Sequence, residues 1–208
     1  MRKKRPMVRH ENLTRDATLV VIASEDRYAV QQYFEFFHST RIQFKVLETD
    51  DGRSSPTHVM DRLSQFMKEY DLGEGDQFWL VCDTDHWTEA GHIKNLKQVV
   101  AHCRKKGVQV AISNPCFDLW LLLHFADFPV TSPLTCKDVQ RQLRQVIGQY
   151  NKTRVFALPI DDNGVQNAID RSKAHSSSVG IPQTTSTAVH LIIEDLVARQ
   201  IISIASSN

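Results

Sequence analysis

The sequence predicts an α/β fold: a four-stranded, mainly parallel sheet flanked by helices, with a C-terminal helical extension. Three observations carry this prediction. Four short apolar runs rich in β-branched and aromatic residues lie in the first 113 positions, each bounded by turn residues. Each is followed by a segment with apolar residues at helical spacing. Continuous apolar strands alternating with amphipathic helices are what a parallel sheet covered on both faces requires.

The elements follow in order. ATLVVIAS (17–24) suits a buried strand, and EDRYAVQQYFEFF then places Val30, Tyr33, Phe34 and Phe37 at helical spacing. RIQFKVLET (41–49) alternates as a second strand. Ser54 or Ser55 before Pro56 marks a helix start, and Val59, Leu63, Phe66 and Met67 line one face of the helix it opens. QFWLVCD (77–83) is the third strand. HIKNLKQVVAHCRKKG is a helix closed by basic residues and Gly107, and VQVAIS (108–113) is the fourth strand. SNPCFDLWLLLHF (113–125) continues as a helix apolar on nearly every side, with Asn114 as its expected cap, Pro115 in its first turn, and Asp118 and His124 set in it. A break around Pro129 and Pro133 precedes three helical patterns (136–150, about 164–174, 187–200), with the polar HSSSVGIPQTTST between the last two. The organisation expected is a basic tail (1–16), an α/β domain (17–127) and a helical extension (128–208).

Composition narrows the classes. With 208 residues, 41% hydrophobic and 24% charged, the chain has an ordinary globular make-up and enough length for one sizeable core plus an appendage. A formal net charge of +1 exerts no global pull toward a polyanion, so any such attraction must come from a local patch. The start, MRKKRPMVRH, supplies one in Lys3, Lys4 and Arg5, either a solvated tail or an arm that touches phosphates. Cys82, Cys103, Cys116 and Cys136 are widely spaced with no CxxC pair, so neither a disulfide framework nor a zinc site is expected. No apolar run reaches membrane-spanning length and no signal-peptide core follows the basic start, which gives the expectation of a cytoplasmic protein with no membrane partner.

Ligands of open parallel α/β sheets bind outside the carboxyl ends of the strands. The first strand runs into Glu25 and Asp26, the third into Asp83-Thr84-Asp85, the fourth into Ser113 and Asn114. Asp26 also suits a cap on the helix it opens. Asp83 and Asp85 have no adjacent helix to cap, and alternate positions leaving a strand share a side. Carboxylates at two strand ends on one rim offer oxygen ligands for a hard cation, Mg²⁺ or Mn²⁺. The sequence carries no GxGxxG, no GxxxxGK[ST] and no nucleophile elbow, which argues against dinucleotide, P-loop and serine-hydrolase chemistry.

The strand-end acids in this order resemble the TOPRIM domain of topoisomerases, primases and OLD-family nucleases. More specifically, the chain resembles the RloB-like family of bacterial defence proteins. The segments that carry the resemblance are KKRP, VIASEDRYAVQQYF, VCDTDHW, ISNPCFDLWLLLHF and IPQTTSTAVHLIIEDL. They span nearly the whole chain, and SNPCFDLWLLLHF is the most specific of them. The resemblance implies a TOPRIM-like, Rossmann-like fold and a Mg²⁺-dependent (or Mn²⁺-dependent) nuclease acting on DNA or RNA, tRNA included, beside a separate ATPase in anti-phage defence and abortive infection. TOPRIM-like defence nucleases often assemble, so the resemblance allows a homo-oligomer and leaves the oligomeric state open. Glu25 takes the place of the motif glutamate, and Asp83 and Asp85 that of the Asp-x-Asp.

The chain departs from that pattern at Asp26, where glycine is usual, and at Ala29-Val30, where Thr-Glu is usual. An alternative therefore stands beside the enzyme: a non-catalytic TOPRIM-like sensor or interaction subunit that docks on an ATPase. The candidate catalytic residues are Glu25, Asp83 and Asp85, with Asp118 as a further acid on the rim and His86 as a helper of the leaving oxygen. Glu25, Asp83 and Asp85 are also the candidate metal ligands. Candidate nucleic-acid contacts are Arg171, Lys173, Lys3, Lys4 and Arg5. For Asp118 the helix dipole is an equally good reason to sit in a first turn, and for Arg171 and Lys173 so is a solvated helix face.

Overall fold

A computed structural model of the protein describes residues 5–6, 17–37, 39–47, 55–85, 93–128, 133–176 and 180–204. In chain order the elements are β1 (Arg5–Pro6), β2 (Thr18–Ser24), α1 (Ala29–Phe34), β3 (Ile42–Leu47), α2 (Pro56–Glu69), β4 (Tyr70–Asp71), β5 (Gln77–Asp83), α3 (Ile93–Lys105) and β6 (Gln109–Asn114). There follow α4 (Asp118–Phe125), α5 (Cys136–Ile147), a 3-10 turn (Lys152–Ala157), α6 (Asp162–His175), β7 (Ser186–Thr187) and α7 (His190–Ala198).

The fold is α/β and Rossmann-like: a five-stranded sheet in the order β3-β2-β5-β6-β7, parallel except at the β7 edge, with helices on both faces. Alternate residues of the strands feed two main cores, with Ile112, Leu96 and Val100 forming a small third cluster. Leu19, Val21, Ala23, Leu80 and Cys82 pack against α2 and α3. Val20, Ile22, Trp79, Val81 and Ala111 pack against α1 and the helices from α4 onward. The helices leaving the neighbouring strands β2 and β5 thus lie on opposite faces. This is the topological switch point of an open parallel sheet, where a crevice opens at the carboxyl ends of the strands.

Local signals set several boundaries as expected. Ser55 caps α2 by accepting the His58 N–H, with Pro56 in the first turn. Gly107 takes the positive φ (70°) that closes α3. Other expectations need correction. Asn114 is the last residue of β6, its peptide bond to Pro115 is cis, and α4 begins at Asp118, so neither residue starts the helix. The polar segment after α6 holds a strand: Ser186 and Thr187 pair antiparallel with Asn114 and Ser113. The extension therefore completes the sheet. Cys116 and Cys136 form a disulfide, against the expectation of free thiols, whereas Cys82 and Cys103 are free and buried. A separation of 20 residues gives no CxxC signature to read, and the pairing arises only because α5 packs beside α4. Of the basic start, Arg5–Pro6 pairs in parallel with Tyr70–Asp71. Lys3 and Lys4 lie outside the described residues, as does His86. No described helix is long and apolar enough to cross a membrane.

Candidate active site

The acids of the sequence pattern sit at the switch point. β2 and β5 are in parallel register with Ser24 beside Val81; β2 ends there and runs into Glu25-Asp26, while β5 continues two residues further to Asp83 and then into Thr84-Asp85. Glu25 and Asp83 are half-buried, Thr84 is fully buried and Asp85 is exposed. The segment after β5 is fastened to the turn before α4. The Thr84 N–H donates to the Ser113 and Pro115 carbonyls, both at 3.0 Å, and the Asp85 N–H donates to the Pro115 carbonyl at 3.1 Å.

Asp83 also caps. Its Oδ1 accepts the Phe117 N–H at 2.9 Å, at the amino end of α4, a site that favours negative charge. Burial nevertheless pushes the Asp83 pKa well above the usual carboxylate range, and the neighbouring Glu25 carboxylate adds to that. Lys152 pulls the other way. Burial, with Glu25 beside it, likewise raises the Cys82 thiol.

Asp26 has a different job. Its Oδ1 accepts the Tyr28 and Ala29 N–H groups at 2.7 and 2.5 Å, so it caps α1 as the sequence allowed. Its Oδ2 lies 2.6 Å from Lys152 Nζ. Burial disfavours the Lys152 ammonium, but the carboxylates of Asp26, Asp118 and Asp83 outweigh it and hold the pKa above the ordinary lysine value. Arg62, from α2, donates to the Ser24 carbonyl at 3.0 Å and brings a second cation to the end of β2.

Asp118 is the first residue of α4 and is fully buried. Both its oxygens are engaged by the extension: Tyr150 Oη donates to Oδ1 at 2.5 Å, and Gln140 Nε2 donates to Oδ2 at 2.6 Å. It approaches the rim through the charge of Lys152 rather than by facing it with a free oxygen. Among the described residues, the set whose potential ligand atoms all fall within 4.8 Å of one another is Cys116, Asp118 and Cys136. Its sulfurs are bonded to each other. Glu25, Asp83 and Asp85 are not drawn that close. A Mg²⁺ ion needs only one or two carboxylates and completes its shell with water and phosphate, so the donor set at the switch point suits such an ion. The mutual repulsion of Glu25 and Asp83 is the charge that a cation would relieve.

Two nucleic-acid candidates have partners elsewhere. Arg171 donates to the Leu123 carbonyl at 2.6 Å, in the last turns of α4, at the end away from the rim. Lys173 pairs with Glu194 of α7 at 2.8 Å. His124 is a core histidine: its Nδ1 lies 2.9 Å from the Trp120 carbonyl and its Nε2 3.2 Å from the Tyr33 hydroxyl. Burial lowers its pKa to about 4. Ser172 stands 2.7 Å from His190, but its hydroxyl is buried and donates to the Thr187 carbonyl, so it fastens α6 to β7 and is no exposed nucleophile.

Lys152, Tyr150, Gln140 and Arg62 are the residues that sequence reasoning missed. None lies in a motif, and each reaches the acids only through packing between elements distant in the chain. The nearest signal was the GQYNK run after α5, polar and aromatic residues clustered behind a glycine stop.

Neither a curated protein nor a solved structure matches the chain. A family model described as RloB-like protein matches residues 20–196. That match runs from within β2 through most of α7, and includes the strand-end acids and the extension that holds Asp118. The chain belongs to the RloB-like family.

Proposed function

We propose that this protein is a metal-dependent nuclease that cleaves phosphodiester bonds of DNA or RNA, serving as the effector of a bacterial anti-phage system beside a separate ATPase. The observation that carries the reading is the placement of Glu25 and Asp83 at the switch point, close enough for the one carboxylate to raise the pKa of the other. Glu25, Asp83 and Asp85 would hold Mg²⁺ or Mn²⁺. Such an ion, when bound, supplies Lewis-acid stabilisation of the charge that builds on the phosphoryl oxygens.

The chain's own residues do the rest. Asp83 is fixed by the Phe117 N–H, so its free oxygen faces a defined direction. Glu25, paired with a second carboxylate in a half-buried setting, is the group to take a proton from the attacking water. Lys152 and Arg62 bring positive charge to the rim, where a phosphate must approach acids that would otherwise repel it. Asp118 positions the extension through Tyr150 and Gln140 and touches no reacting atom.

A second reading has its own observation. The Lys152 ammonium already sits on the acids, with Asp26 in direct contact, so the rim carries a built-in counter-charge. That is what a non-catalytic subunit docking on an ATPase would need to keep its acids neutralised. A cleavage assay on plasmid and total tRNA with Mg²⁺ or Mn²⁺ separates the two. The nuclease cleaves, and Asp83→Asn abolishes cleavage without unfolding the protein. Cleavage undiminished in Asp83→Asn removes the assignment, and no cleavage together with stable co-purification of an ATPase favours the docking subunit.

A further inference from the structure

Two exposed aromatic rings stand on the two segments that the Asp26–Lys152 ion pair joins. Phe156 is 57% exposed and Tyr28 is 42% exposed, in a chain that otherwise buries most of its large apolar side chains. Single exposed hydrophobes are ordinary; the arrangement of these two is not. The Asp26–Lys152 ion pair, at 2.6 Å, joins two distant segments. From that pair each segment runs outward into an arginine and then an aromatic ring: Asp26-Arg27-Tyr28 on one side, Lys152 to Arg154 to Phe156 on the other. The Arg27 guanidinium lies over the Tyr28 ring, 5.4 Å from its centroid, and the Arg154 guanidinium over the Phe156 ring, 5.9 Å from its centroid.

The segments are held together rigidly. The Gln32 amide donates to the Thr153 carbonyl at 3.1 Å and accepts the Phe156 N–H at 3.2 Å, clamping the 3-10 turn onto α1. Tyr28 immediately precedes α1, and its carbonyl accepts the Gln32 N–H one turn further on, so it sits at the end of α1 that the chain enters from β2.

We propose that Tyr28 and Phe156, with Arg27 and Arg154, form a stacking platform for unpaired nucleobases beside the acidic rim. The chemistry is complementary on both counts. Aromatic faces and guanidinium planes stack on bases that are out of a duplex, with little preference for base identity. Exposed arginines meet the phosphates that join those bases. The platform names a substrate class, single-stranded or looped nucleic acid, and rests on the nuclease reading for its use. A base held here would bring its strand to the carboxyl ends of β2 and β5.

The test is fluorescence anisotropy in EDTA with three short probes of one length: a single strand, its duplex, and an abasic strand with the same phosphates but no bases. The full chain is expected to bind the single strand about tenfold tighter than the abasic strand, the size of one base–aromatic stack. Phe156→Ala and Tyr28→Ala should erase that preference, Phe156→Trp should keep it, and thermal unfolding should not move. Equal affinity for single and abasic strands, tighter binding of the duplex, no binding, or a preference that survives both alanine variants overturns the platform. The two readings fail separately. Asp83-dependent cleavage without base-dependent binding removes the platform alone, and base-dependent binding without cleavage removes the nuclease alone.

Discussion

Replacing Asp118 tests whether this buried acid holds the extension in place or takes part in chemistry. Its carboxylate is 0% exposed and accepts hydrogen bonds from Tyr150 at 2.5 Å and Gln140 at 2.6 Å. Asp118→Ala would strand both donors. A buried polar group left without its partner costs about 1–3 kcal/mol. Gln140 is half-buried and recovers part of that from water, so the sum is about 2–5 kcal/mol, a large part of the roughly 5–15 kcal/mol that keeps a domain folded. Asp118→Asn keeps the volume and removes the charge, and should cost about 1–3 kcal/mol. The assay is equilibrium urea unfolding followed by tryptophan fluorescence, since Trp120 is buried in the same turn of α4. A double-mutant cycle of Asp118→Asn with Tyr150→Phe should give a coupling of about 1–3 kcal/mol. Unchanged midpoints and zero coupling would refute the anchoring role. Full stability with loss of metal-dependent cleavage would move Asp118 into the catalytic set.

Three further outcomes follow from the structure. His124 stays neutral to about pH 4 in the folded chain, whereas an unfolded histidine takes its proton near 6.5. The unfolded state therefore binds more protons between those values, and stability present above about 6.5 is lost as the pH falls toward 4, by roughly 3 kcal/mol; urea midpoints against pH should show the slope, and His124→Phe should flatten it. Without reductant, thiol titration in denaturant should count the two free cysteines, Cys82 and Cys103, and reducing the Cys116–Cys136 bond should lower stability by about 3 kcal/mol, as for a loop of this size; four reactive thiols at the outset would contradict the pairing. Lys152→Met should destabilise by leaving the buried Asp26 carboxylate without its counter-charge, and adding Asp26→Asn should restore part of the loss in the same urea assay; a purely additive double variant would show that the ion pair contributes nothing.

What the sequence displayed and what it concealed divide along the range of the interaction. The third apolar run, 77–83, became β5 with the same bounds, and Ser55, Pro56 and Gly107 act where their local chemistry puts them. The acids Glu25, Asp83 and Asp85 were visible because strand ends in a parallel sheet share one rim. The start of α4 was misplaced because its capping group is Asp83, 34 residues away, and not the Asn114 next to it. The two-residue strand β7 has no periodicity to read and exists because β6 offers an edge. Asp118 looked like a carboxylate out of place in an apolar helix, and its reason lies in Tyr150 and Gln140, on segments that meet it only after folding. Lys152 was hidden in the same way.

The most direct measurement is Mn²⁺ binding to the full chain by isothermal titration calorimetry at neutral pH. Wild-type protein should bind the ion, and Glu25→Gln and Asp83→Asn should each weaken binding about tenfold or more, in keeping with the loss of one carboxylate from a site that uses only one or two. Asp118→Asn should bind as the wild type does. No Mn²⁺ binding by the wild type, or binding that Glu25→Gln and Asp83→Asn leave untouched, would contradict a metal centre at the carboxyl ends of β2 and β5.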